Sequence, residues 1–233
     1  MKQLAENLWA IQQPFKYLGL SVGTRMTIIR LENQDLVLIS PIRLTPTIKA
    51  QVDRLGVVKH IVLPNLFHYL FASKWGKTYP ESITYAVSNL QKKRPELTID
   101  KFLNSQEKFW HSELVYLPFT GVNTLIPEGI SPLEEYVFYH RASKTLILTD
   151  SAFYFDETFS GFTQIVARLI GGYKKLEPSV LEKFAMSKQK HKVRDALKSI
   201  LAWDFDRVIV AHGNIVEDNG KEKLIKGYEW VNR

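Results

Sequence analysis

The sequence predicts an α/β protein built on two β-sheets with helices outside. Three observations predict it. Strand-like runs, short and rich in β-branched and aliphatic residues, come in two groups along the chain, and each group ends in helix. Within a group the strands follow one another like a meander. The composition, 45% hydrophobic and 24% charged over 233 residues, is ordinary for a globular chain with a sizeable core. A doubly wound sheet stays open as an alternative, but the meander-like runs argue against it.

The elements follow in order. "LWAIQQPF" has a strand-like apolar pattern. "RMTIIRL" and "DLVLISPI" are strands separated by the turn-like "ENQD", which reads as a hairpin. "TPTIKAQVDRLG" reads as a helix: Thr45 caps it, Pro46 fits its first turn, Ile48, Val52 and Leu55 share a face, and Gly56 stops it. "VKHIVLP" is a buried strand ended by Pro64, and "SITYAVS" is another strand. "LVYLPF", "EEYVFYHR" and "KTLILTD" are three more, the last two joined as a hairpin with its turn near Ala142 to Lys144. "FTQIVARLIGG" sets Phe162, Ile165, Val166 and Leu169 at helical spacing, and the glycines end it. A further helix runs from Ser187 to Trp203, "DFDRVIVAHG" is a strand, and "KEKLIKGYEWV" is a final helix. There is no repeat, low-complexity segment or obvious linker.

Composition excludes several chemistries. The chain has no cysteine, so disulfides, thiolate zinc clusters, iron–sulfur clusters and cysteine nucleophiles are out. Any metal must be held by His, Asp, Glu or backbone oxygen. Lys plus Arg number 31 against 24 Asp plus Glu, a formal charge of +7 that serves solubility and mildly favours anionic partners. The start "MKQLAENLWAIQQPF" lacks the basic and apolar regions of a secretory signal. No apolar stretch approaches the ~18 residues of a membrane span. A soluble, cytoplasmic protein with no transmembrane segment is expected, with peripheral membrane contact left open.

Three polar residues share one setting: an apolar strand, the residue, then a loop. "HIVLPNLFHYLF" ends a strand at Pro64 and presents Asn65 and His68. "LILTDSAF" runs into Asp150. "VIVAHGN" ends on His212, followed by Gly213, which permits an unusual backbone angle. His is the commonest metal ligand and the usual acid–base group near neutral pH. An Asp at the end of a strand this apolar needs a partner, a cap or a metal. Plain readings stand beside these. His68 packs among Leu66, Phe67, Tyr69, Leu70 and Phe71; Asp150 caps a turn with Ser151; His212 hydrogen-bonds a neighbouring loop.

"LTDSAF" and "VIVAHGN" resemble two segments of the metallo-β-lactamase-like superfamily: the one carrying the Asp that bridges two metals, and the last strand, which ends in a His. The N-terminal hairpin, "LGVVKHIVLP" and the closing helices also fit, so the resemblance spans nearly the whole chain. More narrowly, "PNLFHYLF…W…YP" and "VFYHRASKTLILTD" look like a divergent, domain-of-unknown-function branch of that superfamily. The resemblance implies an αββα four-layer sandwich, with two mixed β-sheets face to face and helices outside. It also implies a single domain over residues 1–233 and a metal-dependent hydrolase.

The departures fall in the ligand loops. The family's His-x-His-x-Asp-His loop should follow "IVLP", where this chain has "NLFHYL". Aligned without a gap, Asn65 takes the first His place, Phe67 the second, Tyr69 the Asp place and Leu70 the last His. His68 falls between ligand positions, and a one-residue shift puts it on the second. The family's middle His, in a "PGHTPGS"-like segment, should fall near "LPFTGVN", which has none; His111 lies just upstream, before the strand.

The implied metal ligands are therefore His68, Asp150 and His212, with His140 of "VFYHR" as an outsider whose alternation points it opposite to Tyr139. Two His and a carboxylate suit one zinc ion or one non-haem iron ion. One metal suffices to activate water against an ester, amide or phosphodiester, in a small-molecule or anionic substrate. The Asp that orients the water in the family loop is missing. The alternative is thus a binding or scaffold module that keeps the fold and holds no metal. Asn65, Trp75 and Tyr79 complete the pocket candidates; the two aromatics of "KWGKTYP" either roof a pocket or staple a loop to the core. "SKQKHKVRDALKSILAW" carries Lys188, Lys190, His191, Lys192, Arg194 and Lys198 beside a stripe of Val193, Leu197, Ile200 and Leu201. It reads as a surface helix with a solvated basic face, with a nucleic-acid or acidic-lipid patch as the functional alternative.

Overall fold

Strands at the start of the chain build a seven-stranded sheet. A computed structural model describes residues 1–17, 19–104 and 113–232; His111 lies outside the described residues. The chain opens with β1 (Lys2–Ala5), β2 (Leu8–Gln13), a small ribbon of β3 (Lys16–Tyr17) and β4 (Leu20–Ser21), then β5 (Thr24–Arg30) and β6 (Asp35–Ile39). Next come α1 (Pro46–Asp53), β7 (Val57–Leu63), α2 (Ala72–Thr78), β8 (Ile83–Ala86), α3 (Leu90–Lys93) and β9 (Lys101–Phe102). The sheet order is β1-β2-β5-β6-β7-β8-β9. Pairing is antiparallel up to β6 and parallel beyond it. The change falls where α1 intervenes, because a parallel neighbour needs a crossover.

The second half supplies β10 (Leu114–Pro118), a ribbon of β11 (Asn123–Ile126) and β12 (Gly129–Pro132), β13 (Tyr136–His140) and β14 (Thr145–Ile147). It continues with α4 (Gly161–Ile170), α5 (Val180–Met186), α6 (Lys190–Leu201), β15 (Arg207–Ile209) and α7 (Gly220–Tyr228). The second sheet runs β10-β13-β14-β15, and its last pair is parallel.

Period-two alternation in this sheet makes four layers. Leu114, Phe138, Ile147 and Ile209 point into the core of the first sheet. Val137, Tyr139, Leu146 and Val208 point the other way, against Val193, Leu197 and Ile200 of α6 and Leu224 and Tyr228 of α7. Ile48 and Val52 of α1, with Ala72 and Trp75 of α2, join the first core. The protein is thus an α/β sandwich of two mixed sheets packed face to face with helices outside.

Several local readings hold. The Thr45 side chain accepts from the Ile48 N–H, Pro46 is the first residue of α1, and Ile48 and Val52 are buried. Inside the expected 187–203 helix, α6 follows a short 3₁₀ turn over Ser187–Gln189. It buries Val193, Leu197 and Ile200 and leaves Lys192 and Lys198 exposed, as a surface helix does. Among the described residues, no helix is long and apolar enough to cross a membrane.

Three readings need correction. "ASKWGKT" is helix rather than loop. Its Trp75 is fully buried, with Nε1 donating to the Ile42 carbonyl at 2.6 Å. Tyr79 stacks on Trp75 at 5.8 Å and its hydroxyl donates to Asp53 at 2.8 Å. Both aromatics staple α2 to the sandwich and neither lines the cavity described below. His140 is buried at the far end of β13, paired with Thr145, with Nδ1 at 2.7 Å from Ser143 Oγ in the hairpin turn. Asp150 follows the opposite end of β14, so His140 does not reach it. Finally, α4 inverts the usual arrangement, in which an apolar stripe faces the core. Phe162, Ile165 and Leu169 are 62%, 56% and 75% exposed, while Thr163 and Ala167 are the buried residues.

Candidate metal centre

Three strand ends bring His68, Asp150 and His212 together. One ligand atom from each lies within 4.8 Å of the others. His68 Nε2 is 3.1 Å and His212 Nε2 is 3.3 Å from the same oxygen, Asp150 Oδ1. The two imidazole centroids are 5.3 Å apart. His68 sits in the loop after β7, Asp150 just after β14, and His212 just after β15.

Each residue is held by a distinct local device. Asn65 is fully buried, and its Oδ1 accepts the N–H groups of Phe67 and His68, both at 2.9 Å. This turn of chain points residue 68 inward. Ser40 Oγ lies 2.5 Å from His68 Nδ1. Ser40 has a φ of 59°, a left-handed conformation that is uncommon for serine and is kept where the surroundings demand it. The aligned neighbours have other partners. Phe67 lies under the Lys93 ammonium at 3.9 Å, the Tyr69 hydroxyl accepts from Arg94 at 3.3 Å, and Leu70 is exposed.

His212 is set by its flanks. Gly213 has φ 96°, and a Cβ there would stand 2.2 Å from the Tyr154 carbonyl oxygen, so only glycine fits. Arg25, buried on β5, donates to the carbonyls of Val210 and Gly213 on either side, and to Gln12. Burial pushes the Arg25 pKa down to about 10, so it stays cationic near neutrality.

Asp150 rests on a second carboxylate. Glu135 is buried and accepts the backbone N–H groups of Thr149, Asp150 and Ser151 at 2.9, 2.8 and 3.0 Å, and the Ser151 hydroxyl at 2.7 Å. Burial, and then Asp150, push its pKa up. Its neighbours are donors, which favours the ionised form. Asn65 Nδ2 donates to Asp150 Oδ2 at 2.8 Å. That oxygen is occupied, and Oδ1 is the one turned to the two histidines. Burial works against the ionised Asp150, but His68 and His212 outweigh it and hold its pKa well below the ordinary value. Burial likewise opposes charge on His68, and Asp150 outweighs it and raises the pKa.

The hydrogen bonds on the far nitrogens test whether these residues fit a metal. His212 Nδ1 lies 2.6 Å from the Gly23 carbonyl oxygen, which only accepts. Nδ1 therefore carries a proton. In the neutral ring Nε2 is then a bare lone pair facing an ionised carboxylate oxygen at 3.3 Å. Two acceptors at that distance need a cation between them, either a proton or a metal. A far nitrogen anchored to a carbonyl or hydroxyl is also how metal-ligating histidines are oriented. Two imidazoles and one carboxylate oxygen form an accepted donor set for zinc or iron, so the residues present fit the group.

Above the cluster opens a cavity of about 350 Å³. His68, Asp150 and His212 lie at its polar end. Phe15, Phe67, Phe71, Phe153 and Phe155 supply aromatic walls, and α4 and α5 close it with Val166, Ile170 and Leu181. Asn65 supports the cluster from beneath and does not line the cavity.

Sequence reasoning did not single out Gly23, Arg25, Ser40, Glu135 or Glu182. Arg25 left only a weak signal, since it opens the strand "RMTIIRL", which also carries Arg30. Glu135 left none, since it follows Glu134 in "SPLEEYVF" and nothing local separates the two.

Solved structures with the same architecture are metallo-β-lactamase-fold proteins. The DIM-1 metallo-β-lactamase exposed to ceftazidime is 15% identical with a TM-score of 0.66, over 98% of this chain and 95% of that one. A metallo-β-lactamase from Pontibacter korlensis is 12% identical with a TM-score of 0.65, over 98% and 97%. The Flv1 flavodiiron core from Synechocystis sp. PCC6803 is 13% identical with a TM-score of 0.64, over 99% of this chain and 60% of that one. At these identities the likeness shows the fold alone. No curated protein matches the sequence. With residues 5–170 matching its model, the chain belongs to the family described as "Domain of unknown function (DUF4336)", here with the metallo-β-lactamase fold.

Proposed function

We propose that this protein is a hydrolase that works with one divalent transition-metal ion, zinc or iron, held by His68 Nε2, Asp150 Oδ1 and His212 Nε2. The observation that carries this reading is the 2.6 Å contact of His212 Nδ1 with the Gly23 carbonyl, an acceptor, so that the neutral ring turns a bare Nε2 toward Asp150. When bound, the ion would polarise a carbonyl or phosphoryl oxygen and acidify water. The chain's own residues do the rest. Gly23 and Ser40 orient the two rings. Asn65 donates to Asp150 Oδ2 and so fixes the carboxylate with Oδ1 toward both histidines, which favours one metal over two. Aromatic walls exclude bulk water from the polar end. Among the described residues, Glu182 is the other carboxylate lining the cavity. Burial raises its pKa, which suits a group that takes or hands over a proton.

Elemental analysis of protein purified without added metal tests the reading. The expected result is near-stoichiometric zinc or iron, lost in Asp150→Ala and His212→Ala, with ester or phosphodiester hydrolysis lost in parallel. Metal-free protein that also fails to take up added zinc would overturn it, as would an Asp150→Ala variant that keeps metal and turnover.

One observation favours a second reading. His68 and Asp150 are at hydrogen-bond distance, 3.1 Å. With a proton on Nε2 of each ring, the three groups form a hydrogen-bonded His–Asp–His triad that only fastens strand ends, as in a scaffold or binding module. In that case added zinc leaves the histidine ring resonances unmoved.

A further inference from the structure

We propose that the cavity takes an amphiphile with a long apolar tail, drawn from an anionic lipid bilayer on which the α4–α5 face settles. Only the polar end, where the head group meets Asp150, rests on the metal centre proposed above; the tail site and the membrane face do not.

The cavity is apolar away from the cluster. Leu20, Val22, Phe155, Ile170 and Leu181 line it. At about 30 Å³ per water-sized group, its volume of about 350 Å³ holds on the order of ten such groups, the size of a medium acyl chain. A hydrophilic substrate gains nothing from such walls.

The outer side of the same wall is apolar too. α4 and α5 turn Val166, Ala167, Ile170 and Leu181 toward the cavity. Outward they show Phe162, Ile165 and Leu169 on α4 and Phe184 on α5, the last 65% exposed. A Cβ on Gly171 would meet the backbone of Pro178 and Ser179, so the end of α4 abuts the start of α5. The exposed stripe is therefore a lip around the cavity.

Charge identifies the occupant of this face. Residues 161–192 carry seven Lys or Arg and two Glu. Glu177 is tied to Lys183 at 2.6 Å, and Glu182 lies in the cavity. Arg168, Lys175, Lys188 and Lys192 are exposed. Protruding apolar side chains flanked by cations are the signature of an element lying in an anionic membrane interface. A second copy of this chain would oppose positive charge with positive charge. A nucleic acid would engage the cations but leave Ile165 and Leu169 in water.

Vesicle co-sedimentation tests the membrane face, with phosphatidylcholine alone or mixed with about a third of phosphatidylglycerol. The variant Phe162→Ser/Ile165→Ser/Leu169→Ser removes only exposed side chains. Wild type should sediment with anionic vesicles, little with neutral ones, and the variant should bind roughly tenfold more weakly. A dansylated undecanoic acid probes the tail site. Its emission should shift to the blue with wild type, whether as purified or stripped of metal by a chelator, but not with Ala167→Trp, which fills the cavity. Val166→Trp replaces that variant should its melt show misfolding. Any of five results overturns the inference: no vesicle binding, equal binding to neutral vesicles, an unaffected triple variant, a dimer that the triple variant dissolves, or no probe binding. Chelator-stripped wild type separates the two proposals, since failure of the metal centre leaves vesicle and probe binding intact.

Discussion

Replacing Glu135 with Gln tests how Asp150 is held, because it changes one atom and keeps the shape. Glu135 Oε1 accepts from the Thr149 N–H at 2.9 Å and the Ser151 hydroxyl at 2.7 Å. Oε2 accepts from the N–H groups of Asp150 and Ser151 at 2.8 and 3.0 Å. A glutamine keeps one oxygen, best placed toward Asp150 and Ser151. Its NH₂ then faces the Thr149 N–H, donor against donor, while the Ser151 hydroxyl can turn and accept. One buried N–H is left unsatisfied and the surviving bonds lose their charge assistance, a loss of about 2–4 kcal/mol. Relief of repulsion with Asp150 returns about 1 kcal/mol. The net cost is about 1–3 kcal/mol, a visible share of the roughly 5–15 kcal/mol that holds a domain folded. Urea unfolding followed by tryptophan fluorescence reads it as a lower midpoint at unchanged slope. Affinity for zinc, measured by chelator competition, should also fall about 10–100-fold. A loss below about 0.5 kcal/mol would mean that Glu135 is already a neutral acid and that the donor-count argument is wrong.

Three further outcomes follow from the geometry. Gly213→Ala forces a Cβ to 2.2 Å from the Tyr154 carbonyl at a φ of 96°, so a lower melting temperature and weaker zinc binding are expected; wild-type values for both would refute the close approach. Glu182→Gln keeps the capping box of α5, in which Gln serves as well as Glu, so stability should fall by less than about 1 kcal/mol while turnover falls about 100-fold. Unchanged turnover would remove Glu182 from proton transfer. His60 has its pKa lowered to about 4 by burial, against an ordinary value of 6.5. The unfolded chain takes up that proton first, so His60 contributes stability in full above about pH 6.5 and loses it as pH falls toward 4, on the order of 1–2 kcal/mol given its partial exposure. Urea midpoints at pH 7.5 and 5 should converge in His60→Gln, and an identical pH slope in the variant would dismiss the assignment.

Legibility in the sequence followed the range of the interactions. The start and buried face of α1 were readable because Thr45, Pro46, Ile48 and Val52 act within about two turns of each other, whereas the helix ends at Asp53, before the expected stop at Gly56. The hairpin of β13 and β14 was readable for the same reason. The three cluster residues were readable because each ends an apolar run, although nothing local chose between capping and convergence at Asp150. His140 has the same alternation as a site residue, and only the direction of β14 shows that it lies at the wrong end. Trp75 resembled a loop aromatic because α2 has no capping side chain to announce it. Arg25 and Glu135 act across 185 and 16 residues of sequence, respectively, so their roles depend on the assembled sheets.

Asn65 joins the departures from the family loop into one event. Its Oδ1 draws in the N–H groups of residues 67 and 68, and that turn sends Phe67 to Lys93 and His68 to Asp150. Its Nδ2 donates to Asp150 Oδ2 and leaves Oδ1 turned to the two histidines. The same side chain therefore sets both the backbone that carries His68 and the orientation of Asp150. A buried amide without partners would cost the core several kcal/mol, roughly 1–3 for each unsatisfied group. Here both ends of the amide are used, so Asn65 is a satisfied anchor that ties the loop "NLFHYL" to Asp150.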